Sequence, residues 1–174
     1  MRTLKILIGM LIVFALVLPL QAKENKDDYL LIVNIYERTL ILYKSNVDGN
    51  RELKRYPVAV PTNDWLPLPL IGKVKRIEFD PWWYPTEKTR IAYFKRYQIE
   101  LPKIVGPGDS KNGLGKAKII IIFKNFDIPI RIHGASNPET IGKRASRGCI
   151  RMYNEDVLNL AGIIKNSRTK VIIK

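Results

Sequence analysis

The sequence predicts a mainly β domain, a β-sandwich or barrel-like fold decorated by one or two helices. Three observations carry this. Short runs rich in Ile, Val, Leu and Tyr recur along the chain, and Gly, Pro, Asn and Asp punctuate them. Only two segments show helical patterning. No internal repeat or low-complexity linker interrupts the order, so the strands belong to one core.

The first 22 residues stand apart. Arg2 and Lys5 form a short positive leader, Ile6 to Leu18 are all apolar or Gly, and Pro19-Leu20-Gln21-Ala22 ends on a small residue before polar Lys23. This is the pattern of a secretory signal peptide. The apolar run of 13 residues is short for a membrane span, which needs about 20. An uncleaved anchor is the alternative, since Leu20 is a poor residue three before the cut. Residues 23–174 are then a single domain of 152 residues, long enough to bury roughly 70% of the unfolded chain's surface.

Within that domain, Tyr29–Tyr36 and Thr39–Tyr43 read as a hairpin, and Asp48-Gly49-Asn50 as a turn into a third strand, Leu53–Val60. Recurrent prolines make Pro61–Pro69 a loop. Ile71–Phe79 reads as a strand. Ala117–Phe123, with four consecutive isoleucines, has the composition of a strand buried on both faces. Ile128–His133 and Thr169–Ile173 complete the set. The clearest helix follows Tyr153, with Asn154 as candidate N-cap and Glu155 and Asp156 favouring the helix dipole in the first turn. Val157, Leu158, Leu160, Ala161 and Ile164 form its apolar face. A shorter helix lies within Glu87–Arg96.

The formal net charge of +14 falls to +12 without Arg2 and Lys5, which favours anionic partners through steering. With an export signal, the expected partner is an anionic cell-envelope polymer, and nucleic acid is not expected. The chain has one cysteine, Cys149, and one histidine, His133. One cysteine makes no disulfide within the chain, and no Cys-x-x-Cys pair supports a redox cycle. Too few His and Cys residues exist for a usual zinc site.

His133 ends an apolar strand, and Cys149 follows 16 residues later in Ser146-Arg147-Gly148-Cys149-Ile150-Arg151-Met152. A thiol needs a base or a cation to populate thiolate, and imidazole can serve and then protonate the leaving amine. Gly148 allows close approach, and the Gly148 and Cys149 N–H groups could form an oxyanion hole. Arg147 and Arg151 add positive potential and attract carboxylates. Taken singly, each residue reads better as structural: His133 a hydrogen-bonded strand end, Cys149 a small core hydrophobe. The combination in a basic loop tips the reading towards catalysis.

These residues, His133-Gly134 with the Ser146–Met152 run and Asp156, resemble the signature of the L,D-transpeptidase (YkuD) catalytic domain family. Leu30–Asn34 through Leu40–Tyr43, Tyr56–Val60 with Pro67–Gly72, Pro81–Pro85, Gly106–Gly108 through Asn112–Gly115, and Ile141-Gly142 are similar to that family in the same order. Two departures stand out: Arg147 occupies a position where members often carry a second histidine, and Pro61 replaces a usual glycine after Val60.

The resemblance implies a peptidoglycan enzyme of the periplasm or cell envelope, free of a membrane span once its signal is cleaved. The Cys149 thiolate would attack the carbonyl of the third residue of a tetrapeptide stem. His133 would protonate the departing D-Ala amine, leaving a thioester. The acceptor would be another stem, giving a 3→3 cross-link, a lipoprotein lysine, or water in an L,D-carboxypeptidase. No metal and no organic cofactor is implied. Ser146 and Arg151 would brace the loop or contact substrate, Arg147 would bind the stem carboxylate, and Gly134 would also lie against substrate. Trp82, Trp83 and Tyr84 would line the groove or act as packing staples. Asp156 reads as a helix N-terminal acid, and Asp109–Gly115 as a loop edging the site. The rival class is a non-enzymatic basic module binding anionic envelope polymer, for which Cys149→Ala would change nothing.

Overall fold

The computed structural model describes residues 28–174, so the expected leader at 1–22 lies outside the described residues. The fold is mainly β with two helices, built on one curled half-barrel sheet. In chain order the elements are β1 (Tyr29–Asn34), β2 (Thr39–Asn46), β3 (Gly49–Pro57), β4 (Val60–Pro61), β5 (Leu70–Phe79), α1 (Glu87–Tyr97), β6 (Ala117–Phe123), β7 (Ile130–His133), a 3-10 turn at Pro138–Thr140, β8 (Arg144–Ser146), β9 (Ile150–Arg151), α2 (Asn154–Ile164) and β10 (Thr169–Ile173). Eight strands form the main sheet in the order β3-β2-β1-β10-β5-β6-β7-β9, and β4 pairs with β8 in a two-stranded sheet.

β1 and β2 form the expected antiparallel hairpin. At its turn the Asn34 carboxamide accepts hydrogen bonds from the Tyr36 and Glu37 N–H groups, both 3.1 Å. The last strand, β10, inserts between β1 and β5, parallel to the first and antiparallel to the second. The third expected strand is divided in two. Its first part, β3, is an edge whose side chains are exposed apart from Tyr56, with Arg51, Lys54 and Arg55 discouraging further pairing. Pro57, lacking an N–H, ends that ladder. Val60–Pro61 then pairs instead with β8, beside the cysteine loop.

β6 corrects the expectation of burial on both faces. Ala117, Ile119 and Ile121 are buried, whereas Lys118, Ile120 and Ile122 are only partly so. The sheet therefore has one core face and one accessible face along β6. On the core face, α2 packs Val157, Leu160, Ala161 and Ile164 into the cluster that holds Ile119, Ile121, Ile130, Ile132, Ile150 and Met152. Each fully buried aliphatic of this kind contributes about 1.5–3 kcal/mol. The N-cap of α2 is Tyr153, with no side-chain cap bond, and Asn154 is already inside the helix. α1 stays on the surface with no buried residue, its start capped by Thr86 Oγ1 accepting from the Thr89 N–H at 3.2 Å.

Candidate active site

Register assembles the site. β7 and β9 run parallel, with Ile132 opposite Ile150 and His133 opposite Arg151. Side chains alternate along a strand, so Ile132 and Ile150, both buried, face the core together. The residues on either side of them, Arg131 and His133 on β7 with Cys149 just before β9 and Arg151 on it, share the opposite face. Cys149 and His133 are diagonal neighbours there. Such pairs sit roughly 7–8 Å apart at Cα, within reach of an aromatic side chain. The same face continues through Lys118, opposite His133 on β6, to Glu78, opposite Lys118 on β5.

His133 is 5% exposed. Its Nδ1 lies 2.6 Å from the Gly134 carbonyl oxygen. A carbonyl only accepts, so Nδ1 carries the proton, and in the neutral ring Nε2 presents a lone pair. The His133 carbonyl in turn accepts from the Met152 N–H at 2.9 Å, tying β7 to the chain beyond Cys149. Burial holds His133 down to about 4, the Gly134 hydrogen bond opposes this, and the charges of Arg151, Arg131 and Lys118 add to it. Burial also pushes the Cys149 thiol up, against the lowering influence of Arg131 and Arg151. At neutral pH the resting pair is therefore an uncharged thiol beside an uncharged imidazole.

The cysteine loop is braced from inside. Buried Ser146 donates through Oγ to the Cys149 carbonyl at 2.5 Å and accepts from the Gly148 N–H at 3.3 Å. An oxyanion hole built from both the Gly148 and Cys149 N–H groups would thus require Ser146 to release Gly148. The Ser146 carbonyl accepts from the Thr62 N–H at 2.9 Å, anchoring the loop to the proline-rich segment. Gly148 is needed for close approach: a Cβ there would lie 2.7 Å from the Trp65 ring. Arg151 is fixed through its backbone by two bonds with Ala59, at 2.8 and 2.9 Å. Arg147 is exposed and reaches to α1, where its guanidinium donates to Thr89 Oγ1 at 3.3 Å.

Two expectations change, those for Gly134 and Asn154. Gly134 is buried and is no substrate-facing surface, because a side chain there would collide with the Asn154 carboxamide and the Gly115 backbone. Trp82 and Trp83 pack over Gly106 and Gly113 respectively, with Trp82 more than half exposed. Asn154 is no cap: its Oδ1 accepts from the Lys116 and Ala135 N–H groups at 3.2 and 3.3 Å, and its Nδ2 donates to the Ala135 carbonyl at 3.2 Å. It locks the backbone just past His133. Sequence reasoning also passed over Arg131, although a residue two before His133 on a strand must share its face. Among the described residues, no group of three or more His, Cys, Asp or Glu side chains is placed to hold a metal ion.

A curled sheet carrying a cysteine and an imidazole beside each other on its accessible face is the architecture of an L,D-transpeptidase catalytic domain. Residues 28–173 match the YkuD family, the L,D-transpeptidase catalytic domain, and the chain belongs to that family. It is 32% identical over 129 residues to ErfK/SrfK of Escherichia coli, described as a probable L,D-transpeptidase, covering 73% of this chain and 38% of that one. It is 30% identical over 132 residues to YcfS of the same organism, also described as a probable L,D-transpeptidase, covering 75% and 39%. The chain thus spans about two fifths of the length of these relatives. The catalytic domain of the Enterococcus faecium L,D-transpeptidase acylated by ertapenem shares the fold at a TM-score of 0.54 and 14% identity, covering 86% of this chain and 98% of that one. The Campylobacter jejuni cell shape determining protein Pgp2 does so at a TM-score of 0.58 and 13% identity, covering 86% and 48%.

Proposed function

We propose that this chain is an exported cysteine L,D-transpeptidase acting on the tetrapeptide stems of peptidoglycan. The Cys149 thiol passes its proton to Nε2 of His133, and Sγ bonds to the carbonyl carbon of the third stem residue. The peptide C–N bond breaks, the imidazolium protonates the departing D-Ala amine, and a thioester remains on Cys149. An acceptor amine then displaces the thiol, forming a 3→3 cross-link or attaching a lipoprotein lysine.

The observation that carries this reading is the arrangement of His133. It is a neutral imidazole with Nδ1–H spent on the Gly134 carbonyl and Nε2 available on the face it shares with Cys149. Family membership supports the stem peptide as substrate. The basic side chains at the rim of the site, Arg151 of that face and Arg147 of the loop, suit the stem's carboxylates. The leader pattern in residues 1–22 supports export. The test is incubation of the purified chain with disaccharide-tetrapeptide and mass spectrometry of the products. D-Ala release with a dimer is expected, and its loss in Cys149→Ala. A folded wild-type chain that releases no D-Ala overturns the reading, and tripeptide alone makes water the acceptor.

A further inference from the structure

Among the described residues, Arg131 is a charge with no counterion. It is exposed on β7 between buried Ile130 and Ile132, and among the described residues it joins no salt bridge. The carboxylate on the same face, Glu78, is already held by Arg76 and Lys118 at 2.5 and 2.6 Å. Extending the β7–β9 register by one residue sets Arg131 opposite Cys149, as His133 is opposite Arg151. In β7 the N–H groups not used by β6 point towards β9. Arg131 thus stands beside Cys149 on the same face of the sheet, and its positive charge draws the thiol down against the effect of burial.

We propose that Arg131 is the cation that holds the Cys149 sulfur as it becomes thiolate, a role distinct from carboxylate binding at the rim. This deepens the transpeptidase reading and rests on it only for the identity of the substrate. The charged groups around Cys149 are Arg131 and His133 on β7, Arg151 on β9, Arg147 in the loop and, beyond His133, Lys118 on β6. Arg147 is drawn towards Thr89, and Arg151 lies opposite His133, so Arg131 is the cation set directly across from Cys149. Loss of the thiol proton leaves one negative charge on Sγ. A cation set across from the sulfur stabilises that charge, and it disfavours a second positive charge on His133 less, because His133 lies one step further along the strand. Arg131 therefore favours transfer of the proton from Sγ to Nε2.

The test reads the thiol without any peptidoglycan. The rate of Cys149 alkylation by iodoacetamide is measured against pH for the full chain, Arg131→Met, Arg131→Gln and Arg131→Lys, each checked for its thermal transition. Arg131 is exposed, so the variants are expected to fold, and either neutral variant suffices. The expected result is a rate–pH midpoint displaced upward in the neutral variants, with alkylation below the midpoint slowed about tenfold and partly restored in Arg131→Lys. An unchanged profile overturns the proposal. So does an unchanged profile with a raised KM for stem peptide, which would make Arg131 a carboxylate contact. A displaced profile in a chain that releases no D-Ala leaves the role of Arg131 standing and removes the substrate.

Discussion

Lowering the pH from 6.5 to 4 should charge His133 in the unfolded chain but not in the fold. The structure sets the size of the effect. His133 is buried at the end of β7, and that burial, added to by the charges of Arg151, Arg131 and Lys118, brings it from 6.5 down to about 4. A difference of about 2.5 units corresponds to ~3 kcal/mol between protonation states. The sign follows from proton uptake. Between pH 4 and 6.5 the unfolded chain binds a proton at this residue that the folded chain does not, so stability rises with pH across that window. The full contribution is present above pH 6.5, declines by about 1.4 kcal/mol per unit as pH falls, and is gone near pH 4.

Two assays read this. His133 is the only histidine of the chain, so its imidazole NMR signals need no assignment; they should titrate near 4 and show the proton on Nδ1 at pH 7. Urea unfolding of wild type and His133→Asn, compared between pH 4 and 7, should differ in slope by about 1.4 kcal/mol per unit. The comparison cancels carboxylates such as Asp28, held below its usual value first by the Arg168 N–H, and Glu78, held down by Lys118 and Arg76 against its burial. A histidine titrating at 6.5 or above, with parallel stability curves, would refute the buried neutral imidazole. The base assignment built on it would fall with it.

Gly134 and Asn154 should be energetically coupled. Asn154→Ala removes three hydrogen bonds, and Gly134→Ala displaces the same carboxamide, so each costs about 2–4 kcal/mol by urea unfolding; the double variant should be less destabilised than their sum by about 1 kcal/mol or more. Full additivity would mean that the two do not share a contact. Tyr56→Phe loses the phenolic donor to Asn159 Oδ1 at 2.9 Å, and should cost about 1 kcal/mol, or about 2–4 °C in Tm for a domain of this size. The Tyr56 phenol, pushed up to about 12 by burial and by Asp156, should also make the fold lose stability as pH rises from 10 to 12. Absorbance titration showing this tyrosine ionising at 10 would contradict its burial.

Much of the fold was legible because it rests on local composition. The hairpin of β1 and β2, β6, β10 and both helices follow from aliphatic runs, turn residues and helical spacing, which are properties of short windows. β8 and β9 were not legible: strands of three and two residues carry no periodic signal, and long-range pairing alone defines them. The isoleucine run of β6 misled for a related reason. Consecutive aliphatics announce burial, but composition cannot tell a strand covered on both sides from one lining a groove, where Ile120 and Ile122 stay partly open. Asn154 carried a true signal with the wrong meaning. Its place before two acids suits a cap, yet the fold brings Gly115 and Gly134 against it and gives its carboxamide to their loops.

The site's chemistry follows from a conflict that the sheet resolves. Cationic residues on the accessible face favour a thiolate and oppose an imidazolium, so a preformed ion pair between Cys149 and His133 is disfavoured at one of its two ends. Burial disfavours both charges in addition. The resting thiol accordingly carries less than the few per cent thiolate that an ordinary cysteine shows at pH 7. That protects a lone cysteine from oxidants, which act on exposed thiolates. In the proposed reaction, Cys149 and His133 acquire charge together, once a substrate carbonyl stands ready to take the electron pair. For that proposed transfer the backbone sets the direction in advance: Gly134 holds Nδ1–H, and Nε2 is the nitrogen left for the thiol.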